Sequence, residues 1–173
     1  MVPAQGTGVA ELAESRSLAL DALLIGAAIQ FVAIPLLATL SDRTGRRAVY
    51  AFGGFGSAVF VFLFFPMLAS GSNGLIILAI VVALLLHASM YAPQAAFITE
   101  LFPTRIRYSG VSIAYQLTAI FAGSLAPIIA LCLYKDLHSS VPVSIYVAIA
   151  CAISGVSALL ARETKGVELG AIR

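Results

Sequence analysis

Charge is scarce in this 173-residue chain: only 10% of its residues are Asp, Glu, Lys or Arg, against roughly 25% in ordinary soluble domains. That scarcity excludes most water-facing architectures. Tryptophan is absent, and cysteine and histidine occur twice each. Cys132 and Cys151 both lie in apolar stretches, with no CxxC spacing and no neighbouring histidine pair. A disulfide framework and a zinc site are therefore not expected, and the thiols read as small apolar residues. The histidines, His87 and His138, and the scattered acids form no catalytic constellation, and no glycine-rich phosphate loop follows a strand. Neither an enzyme, a metal nor a cofactor is expected. The net charge of +2 sits in short clusters, which argues against a nucleic-acid partner. Met1 to Arg16 holds Glu11 and Glu14 but no early Lys or Arg, so it lacks the basic start of a signal peptide.

Apolar residues are abundant: 61% of the chain is hydrophobic and the mean hydropathy is +1.03. A domain of about 150 residues buries only about 70% of its unfolded surface, so lipid must cover the remainder. Five stretches reach the ~20 helical residues needed to cross ~30 Å of hydrocarbon: Ser17 to Leu40, Ala48 to Ser70, Gly74 to Ile98, Ser109 to Tyr134 and Ser140 to Ala161. The expectation is an all-α integral membrane protein of five transmembrane helices across residues 17–161. Residues 1–16 form an extracytoplasmic segment and residues 162–173 a tail.

Basic residues orient such a chain, because cytoplasmic loops carry the excess of them. Arg43, Arg46 and Arg47 fall in the first connection, Arg105 and Arg107 in the third, and Arg162, Lys165 and Arg173 in the tail. The alternate compartments hold only Arg16 and Lys135. This bias puts the carboxy terminus in the cytoplasm and Met1 outside. Small residues four apart, as in Gly53 and Ser57 or Ser144, Ala148 and Ala152, mark faces where helices approach closely, so a bundle is expected. Pro35, Pro66, Pro93 and Pro127 fall in four of the spans, where each removes a backbone bond and can kink the helix.

The polar turn Ser41-Asp42-Arg43-Thr44-Gly45-Arg46-Arg47 holds more than positive-inside anchoring requires. Asp42 lies at the membrane boundary, where a carboxylate needs a partner: Arg46, Arg47 or another helix's amino-terminal end. Asp42-Arg43-Thr44-Gly45-Arg46-Arg47 resembles the D-R-x-G-R-R signature of the major facilitator superfamily. Ala38 stands where that family usually has Gly, a small replacement. Ala96 to Gly110 resembles the loop between helices ten and eleven of the metabolite:proton symporters. Gln116, Gly123 and Ala126-Pro127 continue the similarity, as does Glu163-Thr164-Lys165-Gly166-Val167-Glu168-Leu169 in the tail. The resemblance runs from Ala22 to Leu169 and implies helices eight to twelve, most of the carboxy-terminal six-helix bundle of a facilitator. Helix eight of such a protein starts outside, in agreement with the charge bias.

The resemblance implies that Asp42, Arg43, Gly45, Arg46, Arg47, Glu100, Arg105 and Arg107 form the gating motif, with charge contacts that hold the cytoplasmic side closed. Solvated anchoring charges are the alternative. Polar groups deep in a span mark sites. His87, Tyr91 and Gln94 share one helical face at i, i+4 and i+7. Tyr115, Gln116 and Thr118 follow on the next span and Gln30 lies on the first. They read either as the wall of a substrate cavity near the bilayer midplane or as interhelical hydrogen-bonding groups.

Two functions stay open. One is part of a secondary transporter in the bacterial inner membrane, coupling a small organic acid or zwitterionic metabolite to proton entry by alternating access, the amino-terminal half coming from elsewhere. The other is a non-transporting fragment or a structural partner of another membrane chain.

Overall fold

The computed structural model describes residues 6–137 and 140–162. The tail motif from Glu163 to Leu169, Lys165, Arg173 and His138 lie outside the described residues.

Helix α1 spans Gly6–Thr44, α2 Arg46–Leu68, α3 Asn73–Leu101 and α4 Arg107–Thr118. A π-helical segment, Ala119–Leu125, leads into α5, Ala126–Leu137, and α6 follows at Val141–Leu160. Since α4, the π segment and α5 are continuous, five helices among the described residues are long and apolar enough to cross a membrane. The protein is an all-helical, multi-pass membrane protein, and the described residues contain no strand.

The first connection is shorter than the sequence suggests. Helix α1 runs on through Asp42 and Thr44, and Gly45 alone separates it from α2. Gly45 has φ 111°, in the left-handed region where a Cβ would clash with the backbone. Its N–H closes on the Ser41 carbonyl at 2.9 Å. One such residue ends one helix and starts the next, so Asp42 stands three residues before the break and Arg46 one after it.

Small residues fill the centre: Ala22, Ala51, Ala79, Ala88, Ala158, Ser41, Ser89 and Ser144 are all buried. Large ones face outward, with Phe31, Leu24 and Phe52 exposed, a distribution suited to lipid as the outer solvent. Helix α3 packs on α1 and on α2, and α2 packs on α6. Glycines set the spacing: a Cβ on Gly53 would strike Ser89 Oγ and sit 2.9 Å from the Leu86 carbonyl, and one on Gly54 would lie 3.1 Å from Gly155 Cα.

The fourth span stands apart. It touches α3 near its start and α6 near its end, and no described side chain between 107 and 133 is buried. The helices run on as α through Pro35, Pro66 and Pro93. At Pro127 the preceding turns widen to the π register, because the proline ring crowds the carbonyl four residues back and supplies no N–H to it.

Candidate functional site

Helix ends meet at one end of the bundle, and arginines join them. Arg46, the first residue of α2, bridges two carboxylates from different helices. Its Nη1 donates to Asp42 Oδ1 at 2.7 Å and its Nε to Glu100 Oε2 at 2.7 Å. The side chains of Arg46 and Glu100 are 18% and 14% exposed, while that of Asp42 is 59% exposed. One limb of the bridge is therefore shielded and the other wet. The carboxylates also offset the unfavourable placement of a cation at a helix amino terminus.

The neighbouring arginines take backbone partners. Arg47 Nε donates to the Ala158 carbonyl at 3.2 Å, in the last turn of α6. Arg107 Nε donates to the carbonyls of Thr99 at 3.0 Å and Phe102 at 3.3 Å, where α3 ends. Carbonyls in a last helical turn lack intrahelical donors, and a guanidinium there satisfies them and complements the helix dipole. Arg43 and Arg105 are exposed and take part in neither ion pair of Arg46. The structure thus gathers Asp42, Arg46 and Glu100 into one contact, with Arg47 and Arg107 docked beside it. Residues Ala158, Thr99 and Phe102 contribute backbone oxygen only, so no side-chain signal in the sequence could have marked them.

A second polar group lies deeper. Gln30 Nε2 is 3.0 Å from His87 Nδ1, joining α1 to α3, and the His87 ring stacks on Tyr91 with centroids 5.6 Å apart. Gln30 precedes the end of α1, and His87 the end of α3, by 14 residues each. At 1.5 Å per residue both lie about 21 Å from the charged end, near mid-membrane.

Gln94 does not join that pair. It lines a separate cavity of about 240 Å³ between α3 and the fourth span, together with Tyr115, Thr118, Ala122 and Gly123. Gln116, next to Tyr115, is exposed and is not on the cavity wall. The sequence-based candidates therefore divide into the Gln30, His87 and Tyr91 group, the Gln94 and Tyr115 cavity, and Gln116 outside both. Among the described residues no group of three His, Cys, Asp or Glu is placed to hold a metal.

A family model described as sugar (and other) transporter matches residues 13–173. The chain belongs to this family of transporters, within the major facilitator superfamily. Among curated relatives of the chain, the shikimate transporter of Escherichia coli (strain K12) is 32% identical, over 87% of this chain and 35% of the relative. An inner membrane metabolite transport protein of the same strain is 32% identical, over 83% of this chain and 33% of the relative. The ectoine/proline transporter of Corynebacterium glutamicum is 27% identical, over 76% of this chain and 26% of the relative. The chain spans about a third or less of the length of these curated relatives. No solved structure is a significant match.

Proposed function

We propose that this transporter chain supplies helices eight to twelve of a proton-coupled symporter for a small organic acid or zwitterionic metabolite. It sits in the bacterial inner membrane with the Arg46 end in the cytoplasm, and a further polypeptide segment completes the transport path. Two relatives are named as transporters of shikimate and of ectoine and proline, a cyclic acid and two zwitterions, which supports that substrate class. Asp42, Arg46 and Glu100 act as a latch: their contact holds α1, α2 and α3 together at one mouth and breaks when that mouth opens. His87, Tyr91, Gln94 and Tyr115 face the solute path.

The single observation that carries the latch is Arg46 donating at 2.7 Å to carboxylates on two other helices. A positive-inside anchor requires only that arginine lie on the cytoplasmic side; it does not require shared carboxylates. The test is Asp42→Asn in the chain expressed from its natural genomic context, so that any completing polypeptide is present. Thiol labelling from each side of the membrane should shift toward the inward-open state, with membrane insertion unchanged. Unchanged accessibility and unchanged transport would reject the latch.

A further inference from the structure

The π segment lies against the cavity that holds Gln94. Gly123 lines this cavity and has no side chain, so what it presents there is backbone. A Cβ built on Gly123 meets nothing within 4 Å, so the adjoining space is empty. Pro127 follows four residues later. In the α register the N–H of residue 127 would bond the Gly123 carbonyl, and in the π register the Ala122 carbonyl. Proline has no N–H, so position 127 supplies neither bond. Thr118, also on the wall, donates its hydroxyl proton to the Ala114 carbonyl at 2.8 Å and keeps its oxygen as an acceptor. Gln94 and Tyr115 add groups that both accept and donate, and no charged side chain lines the cavity.

The wall is mostly apolar, and its few hydrogen-bonding groups are those of Gln94, Tyr115 and Thr118 and the backbone at Ala122 and Gly123. It is also well inside the membrane: counting from Arg107 at the charged end, Tyr115 lies about 12 Å and Gly123 about 24 Å along the span. A carbonyl that loses its helical donor to proline is costly at that depth, and acyl chains offer none. The volume of about 240 Å³ is smaller than the roughly 300–1,000 Å³ of pockets that enclose a whole drug-sized ligand. One end of a small solute fits it.

Resting on the symporter reading above, we infer that this cavity is a solute subsite that takes the donor-bearing end of the substrate, a hydroxyl or a protonated amine. The backbone of Ala122 and Gly123, with Thr118, accepts its hydrogen bonds, and Gln94 and Tyr115 orient it. A cationic head without N–H or O–H, such as a quaternary ammonium, gains nothing there.

Labelling tests this. With Cys132→Ala and Cys151→Ala as background, Ala119→Cys places one thiol on the cavity wall, and its modification by N-ethylmaleimide is timed in membranes from cells carrying the gene in its natural context. Shikimate presents hydroxyl donors, proline N–H donors, and glycine betaine neither. Shikimate or proline should slow labelling at least about fivefold, the worth of one net hydrogen bond, and glycine betaine should not. Which of the two protects tells hydroxyl from amine. Adding Gly123→Ala, whose methyl enters the empty space, should abolish protection. Equal protection by glycine betaine, or none by any probe, overturns the inference. If the thiol variant fails to reach the membrane, the uptake KM decides: Gly123→Ala alone should raise it about fivefold, and an unchanged KM overturns the subsite. Gradient-driven uptake without protection removes the subsite and leaves the symporter; protection without such uptake does the reverse.

Discussion

Arg46 stands between two carboxylates of unequal burial, and the inequality sets what each contributes. An ion pair with an exposed partner is worth about 0–1 kcal/mol, which applies to Asp42 at 59% exposure. Removing one member of a shielded pair costs up to about 3–5 kcal/mol, because a charge is left without its partner. Glu100, at 14%, belongs nearer that limit. Glu100→Gln should therefore shift the inside and outside thiol accessibilities further than Asp42→Asn, and an equal or smaller shift would show that the exposed limb dominates. At this scale the sequence was partly legible. Asp42 needed a partner because of its depth, and the list of partners contained Arg46. That Arg46 also holds Glu100 depends on which helix ends meet, a tertiary fact no local pattern encodes. The i, i+4 spacing of His87 and Tyr91 sufficed for their stacking; the pairing of His87 with Gln30 required the α1 and α3 registers.

At the scale of elements, close approach between helices rests on glycines with backbone or side-chain atoms directly opposite. A Cβ at Gly53 would meet the Leu86 carbonyl at 2.9 Å as well as Ser89 Oγ, whereas one at Gly74 has only Ser72 Oγ, at 4.0 Å. Gly53→Ala should then destabilise the α2 and α3 packing by about 1–3 kcal/mol, the usual cost of overpacking, and Gly74→Ala should be near neutral. Thermal unfolding in detergent, followed by circular dichroism, checks both, and an unchanged midpoint for Gly53→Ala would mean the helices separate without cost. The five apolar helices were legible because lipid demands length and hydrophobicity alone. The helix edges were less so: a single left-handed glycine suffices between α1 and α2, and polar residues such as Asp42 remain helical once their side chains have partners. The π segment was not foreseen either. Pro127 marked a disturbance, but Pro35, Pro66 and Pro93 lie in helices that stay α-helical, so proline by itself does not specify the register around it.

For the molecule as a whole, helix termini gathered by arginines at one end, polar groups at mid-depth and an apolar exterior suit a protein whose helices separate at one mouth while solute sits between them. The fourth span, attached near its ends and with no buried side chain among those described between 107 and 133, leaves open the cavity that holds Gln94 and Tyr115. Whether the chain acts in proton-coupled solute movement, as proposed, is read from gradient-driven uptake. Membrane vesicles from cells carrying the gene in its natural genomic context are loaded at neutral pH, diluted into acidic buffer, and given labelled shikimate or proline. Accumulation above that in gene-deleted vesicles is expected, lost on addition of a protonophore and lost with Glu100→Gln. Uptake equal to that of deleted vesicles, with the chain verified in the membrane, would contradict it for these solutes, and accumulation indifferent to the protonophore would contradict the coupling.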